Sequence, residues 1–139
     1  MPQDTMEMNN TPNSGPCPCE SGLVYAECCR ALHSGTVFAE TALPLMRSRY
    51  SAFALGNVDY LVNSWHPDTR PAHLTIDENQ RWVGLKIKSV SHGGTDETEG
   101  SVEFVARYKV QGKAHRLQEN SSFCRLEGRW YYLEGERPG

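Results

Sequence analysis

Apolar residues recur along this chain with two different periods, and the change of period divides it. After Thr41, Leu43, Met46, Tyr50 and Phe53 fall three or four positions apart, with Arg47, Ser48 and Ser51 between them, which predicts a helix. Thr41 stands where an N-cap is expected, Pro44 is tolerated in the first turn, and Gly56 supplies a stop. Asn57 can cap a second, shorter helix at once. Val58, Leu61, Val62 and Trp65 give that helix its apolar stripe, and Pro67 ends it. Residues 68–80 follow neither period: Pro71 breaks structure, and Asp77 to Gln80 suits a short helical turn. From Arg81 onward the period is two. Trp82, Val83, Leu85, Ile87 and Val90 mark a first strand. Val102, Phe104, Ala106, Tyr108 and Val110 then alternate with Glu103, Arg107, Lys109 and Gln111 in a second. Gln111-Gly112-Lys113 turns the chain into a long strand from Ala114 to about Leu126. Glu127-Gly128 is a hairpin turn, and Arg129 to Leu133 is a last strand. Helices first and an antiparallel meander afterwards make the class α+β.

A chain of 139 residues has room for one main folded domain and a small appendage. With 38% hydrophobic and 22% charged residues it reads as globular, and no run of eighteen apolar residues is present to span a membrane. Residues 1–15, with Asp4 and Glu7 and no lysine or arginine, read as a flexible leader rather than a secretory signal, which points to the cytoplasm. The net charge of -3 argues against a sequence-blind nucleic-acid binder, which needs excess positive charge to displace counterions.

The chemistry is concentrated near the amino end. Four of the five cysteines, Cys17, Cys19, Cys28 and Cys29, fall within thirteen residues as C-x-C-x8-C-C, and Cys124 lies far away in an expected strand. Bridges between such close neighbours would be strained, so thiols held for a metal are the better reading than a disulfide framework. Four thiolates at tetrahedral corners suit Zn²⁺, whereas iron–sulfur ligation spreads its cysteines more widely. A closed four-sulfur shell leaves no position for water, so the zinc would be structural, and binding it would fold the segment. The alternative is a set of reduced cysteines without metal. Gly22 allows a tight loop, Ser21 can hydrogen-bond locally or to a sulfur, and Tyr25 would cover one side. His33 could stand in as a ligand, and His33-Ser34-Gly35 reads as a linker leading out.

This cysteine arrangement resembles the SEC-C motif, known from the C-terminal tail of the translocase SecA, where it docks the chaperone SecB and contacts the ribosome. Further segments, LMRSRYSAF from Leu45, VEFVARYK from Val102, HRLQENSSF from His115 and GRWYY from Gly128, are similar to the YchJ family of uncharacterised bacterial proteins. The resemblance spans about residues 15–134. It implies a zinc knuckle (residues 16–33) followed by a cone-shaped α+β domain (residues 36–134), in which a curved antiparallel sheet packs on the helices as in nuclear transport factor two. Residues 135–139 would be a tail. No activity is implied. SEC-C knuckles usually carry glycine where this chain has Glu20, and often lysines around Leu23 and Ala26. With Glu27 also acidic, and about two further negative charges from a four-thiolate zinc centre, a grip on RNA or an acidic partner is weakened.

A cone of this kind often leaves a cavity at its open end. If Leu117 and Phe123 face inward, His115, Glu119 and Ser121 share their face. Arg107 on the neighbouring strand, with Arg47 or Arg49 on the first helix, could complete a polar cluster around a His115–Glu119 acid–base pair. The competing reading is a buried ion pair fixing helix to sheet. Trp65, Trp82 and Trp130 are expected in the core or at its rim, and Cys124 as a small apolar filler. The expectation is a zinc-binding protein whose knuckle docks a protein partner and whose cone serves as scaffold or holds a small molecule. An enzyme built on His115 and Glu119, or a ribosome- or RNA-associated factor, are the alternatives.

Overall fold

The computed structural model describes residues 15–77 and 79–136; the expected leader, apart from Gly15, and the last three residues of the tail lie outside them. A loop bearing the first cysteines leads through a 3-10 turn at Tyr25–Glu27 into α1 (Cys29–Ser34). Two further helices follow, α2 (Ala42–Leu55) and α3 (Val58–Asn63). The strands are β1 (Gln80–His92), β2 (Glu99–Val110), β3 (Lys113–Leu126) and β4 (Arg129–Glu136), paired antiparallel in the order β1-β2-β3-β4. The α+β class and the meander are those the two periods predicted.

Local chemistry explains the boundaries. Asn57 caps α3 by accepting a hydrogen bond from the Tyr60 backbone N–H at 3.1 Å, and Gly56 closes α2 in the left-handed region. Thr41 occupies the N-cap of α2, yet its side chain makes no capping bond. The first helical N–H, on Ala42, donates instead to the Gly93 carbonyl at 3.0 Å. Gly93 approaches so closely that a Cβ there would lie 2.8 Å from that of Ala42, so the β1–β2 connection packs directly on the start of the helix. The two tight hairpins at Gln111-Gly112 and Glu127-Gly128 have positive φ at both central residues, the turn whose twist matches that of paired strands.

Register shifts between Trp82 and Gly84, between Ile87 and Ser89, and between Ser122 and Phe123 curve the sheet around α2, which touches all four strands. The core joins Leu45, Met46 and Tyr50 of α2 to Leu85, Val102, Phe104, Ala106, Phe123 and Trp130 of the sheet. Trp130 is 2% exposed and donates from Nε1 to the Glu40 carbonyl at 3.1 Å. The backbone around Trp65 pairs with β4: Tyr132 donates its N–H to the Ser64 carbonyl and His66 donates to that of Tyr132, which ties the segment after α3 to the last strand.

The polar positions of α2 do not form a solvated face. Ser48 and Ser51 are fully buried and Arg49 is 5% exposed. The helix is covered on one side by the sheet and on others by α3 and the cysteine segment, so small hydroxylated residues allow close approach rather than contact with water. At the end of the ambiguous stretch, Asp77 accepts hydrogen bonds from Asn79 and Gln80 in a turn that leads directly into β1.

Candidate functional site

A short hairpin-like loop builds the cysteine cluster. Pro16 pairs with Val24, the Cys17 N–H donates to the Leu23 carbonyl at 2.9 Å, and the Glu20 N–H donates to the Cys17 carbonyl at 3.1 Å. Two positive φ angles make the turn possible, 62° at Glu20 and 92° at Gly22. The 3-10 turn then returns Cys28 and Cys29 to the same point. One sulfur from each of Cys17, Cys19, Cys28 and Cys29 lies within 4.8 Å of all the others, with Cys19 and Cys28 3.5 Å apart and Cys28 and Cys29 3.9 Å apart. Tetrahedral ligation at about 2.3 Å would set sulfurs about 3.8 Å apart, so the donor set fits a metal ion of that geometry. All four are free thiols; Cys17, Cys19 and Cys29 are buried.

Electrostatics within the cluster are those of acids crowded together. Hydrogen bonds from the neighbouring thiols of Cys19 and Cys29 hold Cys17 far below an ordinary thiol pKa. The same bonding holds Cys29 far above one, and burial pushes Cys28 up to about 11. One thiolate is tolerated readily and further ones are not unless a cation joins them. The Ser21 hydroxyl lies 3.1 Å from the Cys28 sulfur, as the loop chemistry predicted.

His33 is not in the cluster. Its Nε2 donates to the Ser48 carbonyl at 2.8 Å, its Nδ1 accepts from the Tyr25 hydroxyl at 2.7 Å, and Tyr60 packs on the ring. Burial lowers its pKa, in keeping with a neutral ring. The stretch read as a linker is therefore the end of α1, closed by Gly35, and it anchors the knuckle to α2. Arg47 adds a second anchor, donating to the Cys19 carbonyl at 2.6 Å, and Cys17 meets the Ser51 hydroxyl at 3.8 Å. The Glu20 carboxylate reaches β1 at Gly84.

The second feature is a cavity of about 380 Å³ between α2 and the concave face of the sheet. Leu117, Glu119, Ser121 and Phe123 line it from β3, in the alternation the sequence predicted. The structure does not bring the proposed acid–base set together. His115 shares their face but lies at the exposed end of the hairpin, stacked on Tyr108 with ring centroids 5.1 Å apart. Arg107 is exposed, alternating away from Ala106 and Tyr108, which line the cavity. Glu119 accepts from the Ser121 hydroxyl at 3.0 Å and lies over Gly135, where no side chain competes for the space.

Of the two helix arginines, Arg49 is the one that enters the cavity wall. Met46, Arg49, Tyr50 and Phe53 all line it, so the arginine is in phase with the apolar stripe, a signal present in the sequence. Its Nη1 donates to the Leu61 carbonyl at 2.8 Å and the Ser64 hydroxyl at 2.7 Å. The guanidinium stands over the rings of Tyr132 and Trp65, 4.2 and 5.0 Å from their centroids. Burial brings its pKa down to about 10. Trp65 and Trp82 line the cavity, Trp130 lies in the core, and Cys124 is half-buried away from both sites.

A family model described as YchJ, middle NTF2-like domain, matches residues 41–135, and one for the SEC-C motif matches residues 16–31. A UPF0225 protein of Chromobacterium violaceum is 52% identical over 122 residues, 86% of this chain and 90% of that protein. Another from Streptomyces coelicolor is 46% identical over 121 residues, 87% of this chain and 94% of that one. Among solved structures, a SEC-C motif containing protein from Rhodopseudomonas palustris is similar with a TM-score of 0.77 and 35% identity, over 88% of this chain and 98% of that chain. A second, from Psychrobacter arcticus, has a TM-score of 0.74 and 25% identity, over 91% and 85% of the two chains. Among the described residues no helix is long and apolar enough to cross a membrane.

Proposed function

The chain belongs to the YchJ (UPF0225) family of bacterial proteins, and from that premise we propose that it is a zinc-stabilised binding protein of the cytoplasm. The observation that carries the reading is the convergence of four sulfurs, three of them on buried residues, with no other residue type in the set. A sealed sulfur shell of this kind suits Zn²⁺ as a structural ion: it holds the knuckle closed, and the knuckle in turn packs on α2. Arg47, donating to the Cys19 carbonyl, places a positive charge beside the negative centre that zinc and four thiolates would form.

The knuckle docks a protein partner, and the cone holds a small molecule. Leu23, 50% exposed on the turn that follows Gly22, gives the docking surface an apolar contact. The cavity between α2 and the sheet offers the ligand space. The enzyme reading has less support, because His115 and Arg107 are exposed and away from Glu119.

Elemental analysis of protein purified under reducing conditions tests the metal: one zinc per chain is expected, and Cys28→Ser/Cys29→Ser should abolish it. Freshly prepared protein without a bound ion refutes the reading. Docking is tested with Leu23→Ser, which leaves the cysteines intact. The zinc-loaded variant should lose partners that the wild type captures, and an unchanged partner set would count against the knuckle as the docking element.

A further inference from the structure

The cone cavity contains a charge that the protein itself leaves without an anion. Arg49 is 5% exposed, and both of its hydrogen bonds go to neutral oxygens, those of Leu61 and Ser64. Among the described residues no carboxylate lies within ion-pair distance of it. Glu119 is near enough to be felt electrostatically but is not a partner. A buried cation is ordinarily paired, because aromatic faces and carbonyl dipoles offset only part of the hydration it has lost. The wall next to it carries a second unsatisfied group: Trp65 lines the cavity, and its Nε1 is buried with no hydrogen-bond partner among the described residues. A buried positive charge without a counter-ion and an indole N–H without an acceptor on one wall suit an oxyanion.

The rest of the lining sets the body and charge of the ligand. Met46, Phe53, Trp82, Phe104 and Leu117 make the cavity predominantly apolar and rich in flat faces. Its volume of about 380 Å³ is at the small end of the range for ligand pockets. Glu119 decides between one negative charge and two. Of the two arginines that line the cavity with it, Arg116 is exposed and only Arg49 is buried, so a dianion seated at Arg49 would meet one buried counter-charge and one like charge. A cation pairing with Glu119 is the weaker match, because Glu119 is only half-buried and keeps access to water, whereas Arg49 does not.

We propose that the cavity binds an aromatic monocarboxylate, its carboxylate received by the Arg49 guanidinium with the Trp65 indole N–H beside it, and its ring held against the apolar lining. This rests on the reading of the cone as a ligand holder and adds the ligand class.

The test uses full-length, zinc-loaded, ¹⁵N-labelled protein and follows the indole N–H signals of its three tryptophans. Indole-3-acetate and benzoate are titrated against the neutral indole-3-acetamide and benzamide and the cationic tryptamine and benzylamine. The carboxylates should move Trp65 and Trp82 and leave Trp130 in place, since its N–H is engaged by Glu40 outside the cavity. They should bind at least tenfold more tightly than the matched amides. Amides or amines that bind as well as the carboxylates overturn the ligand class while leaving the cavity as a binding site. If no probe moves Trp65 or Trp82, the cavity reading falls and the inference with it. Arg49→Gln keeps a donor for Leu61 and Ser64, and it should bring carboxylate and amide affinities together. Retained preference in that variant removes Arg49 from the assignment, and if it fails to fold the wild-type panel decides alone.

Discussion

Glu20 holds a backbone conformation that its side chain disfavours, and replacing it by glycine should tighten metal binding. Its φ of 62° places it in the left-handed region, in the turn between Cys17 and Leu23. For a residue with a Cβ this costs roughly 1–2 kcal/mol. Glycine removes that cost but gives the unfolded chain more freedom, which takes back roughly 0.4–1 kcal/mol. The net gain for Glu20→Gly is then about 0.5–1 kcal/mol. Because metal binding and folding of such a knuckle are one equilibrium, the gain should appear as a two- to fivefold rise in apparent zinc affinity, at about 1.4 kcal/mol per tenfold. A chelator competition on wild type, Glu20→Gly and Glu20→Ala measures it. The alanine variant separates two causes, because it removes the carboxylate yet keeps a Cβ at the same φ. Glycine should exceed alanine by the strain contribution. Equal affinities for the two variants would refute the strain argument and assign any gain over wild type to charge.

Three further outcomes follow from the same geometry. Arg47→Met removes the hydrogen bond to the Cys19 carbonyl, worth about 1 kcal/mol once partial exposure of Arg47 is allowed for. Hydrogen exchange in the Cys17–Glu27 amides should accelerate while β2 and β3 keep their protection, and uniform acceleration would show that the anchor is not local. Burial depresses the His33 pKa, so below the unfolded value of about 6.5 the unfolded chain binds the proton more readily, and stability is lost as pH falls from there toward the folded pKa. Denaturation at pH 7.5 and 5.5 should therefore show a smaller loss for His33→Gln than for wild type, with acid release of metal common to both; equal losses would exclude His33 as the source. Gly112→Ala should cost about 1 kcal/mol although nothing lies within 4 Å of the added Cβ, because φ is 80° there. Gly112→Asn should cost less, and a drop in melting temperature as large as that of alanine would contradict the backbone origin.

How much of this was legible before the structure depends on the range of the interaction. Gly56, Asn57, Gln111-Gly112 and Glu127-Gly128 act on their own neighbours, so helix ends and hairpins followed from residue type. Thr41 holds the N-cap position as read, but its side chain makes no capping bond, and the N–H of Ala42 is met by the Gly93 carbonyl, about fifty positions away. The burial of Ser48 and Ser51 was not legible for a related reason: a pattern along one helix shows which positions are polar, but not that a second body covers them. The His115–Glu119 pairing failed on a different point. Strand alternation assigned both to one face correctly, but it carries no information on how far along that face the helix extends its cover.

By itself, then, the amino-acid order determined the α+β class, the meander, the two tight turns and the grouping of four cysteines near the amino end, since each depends on spacing within a few residues or on a strict period. Only tertiary structure decided that the knuckle is anchored through His33 and Arg47. It also singled out Arg49 from Arg47, which differ by two positions on one helix and face opposite neighbours. The physical reason is that burial and pairing depend on what approaches from elsewhere in the chain. A guanidinium has the same sequence signature in water, against a carbonyl, or on a cavity wall over two aromatic rings.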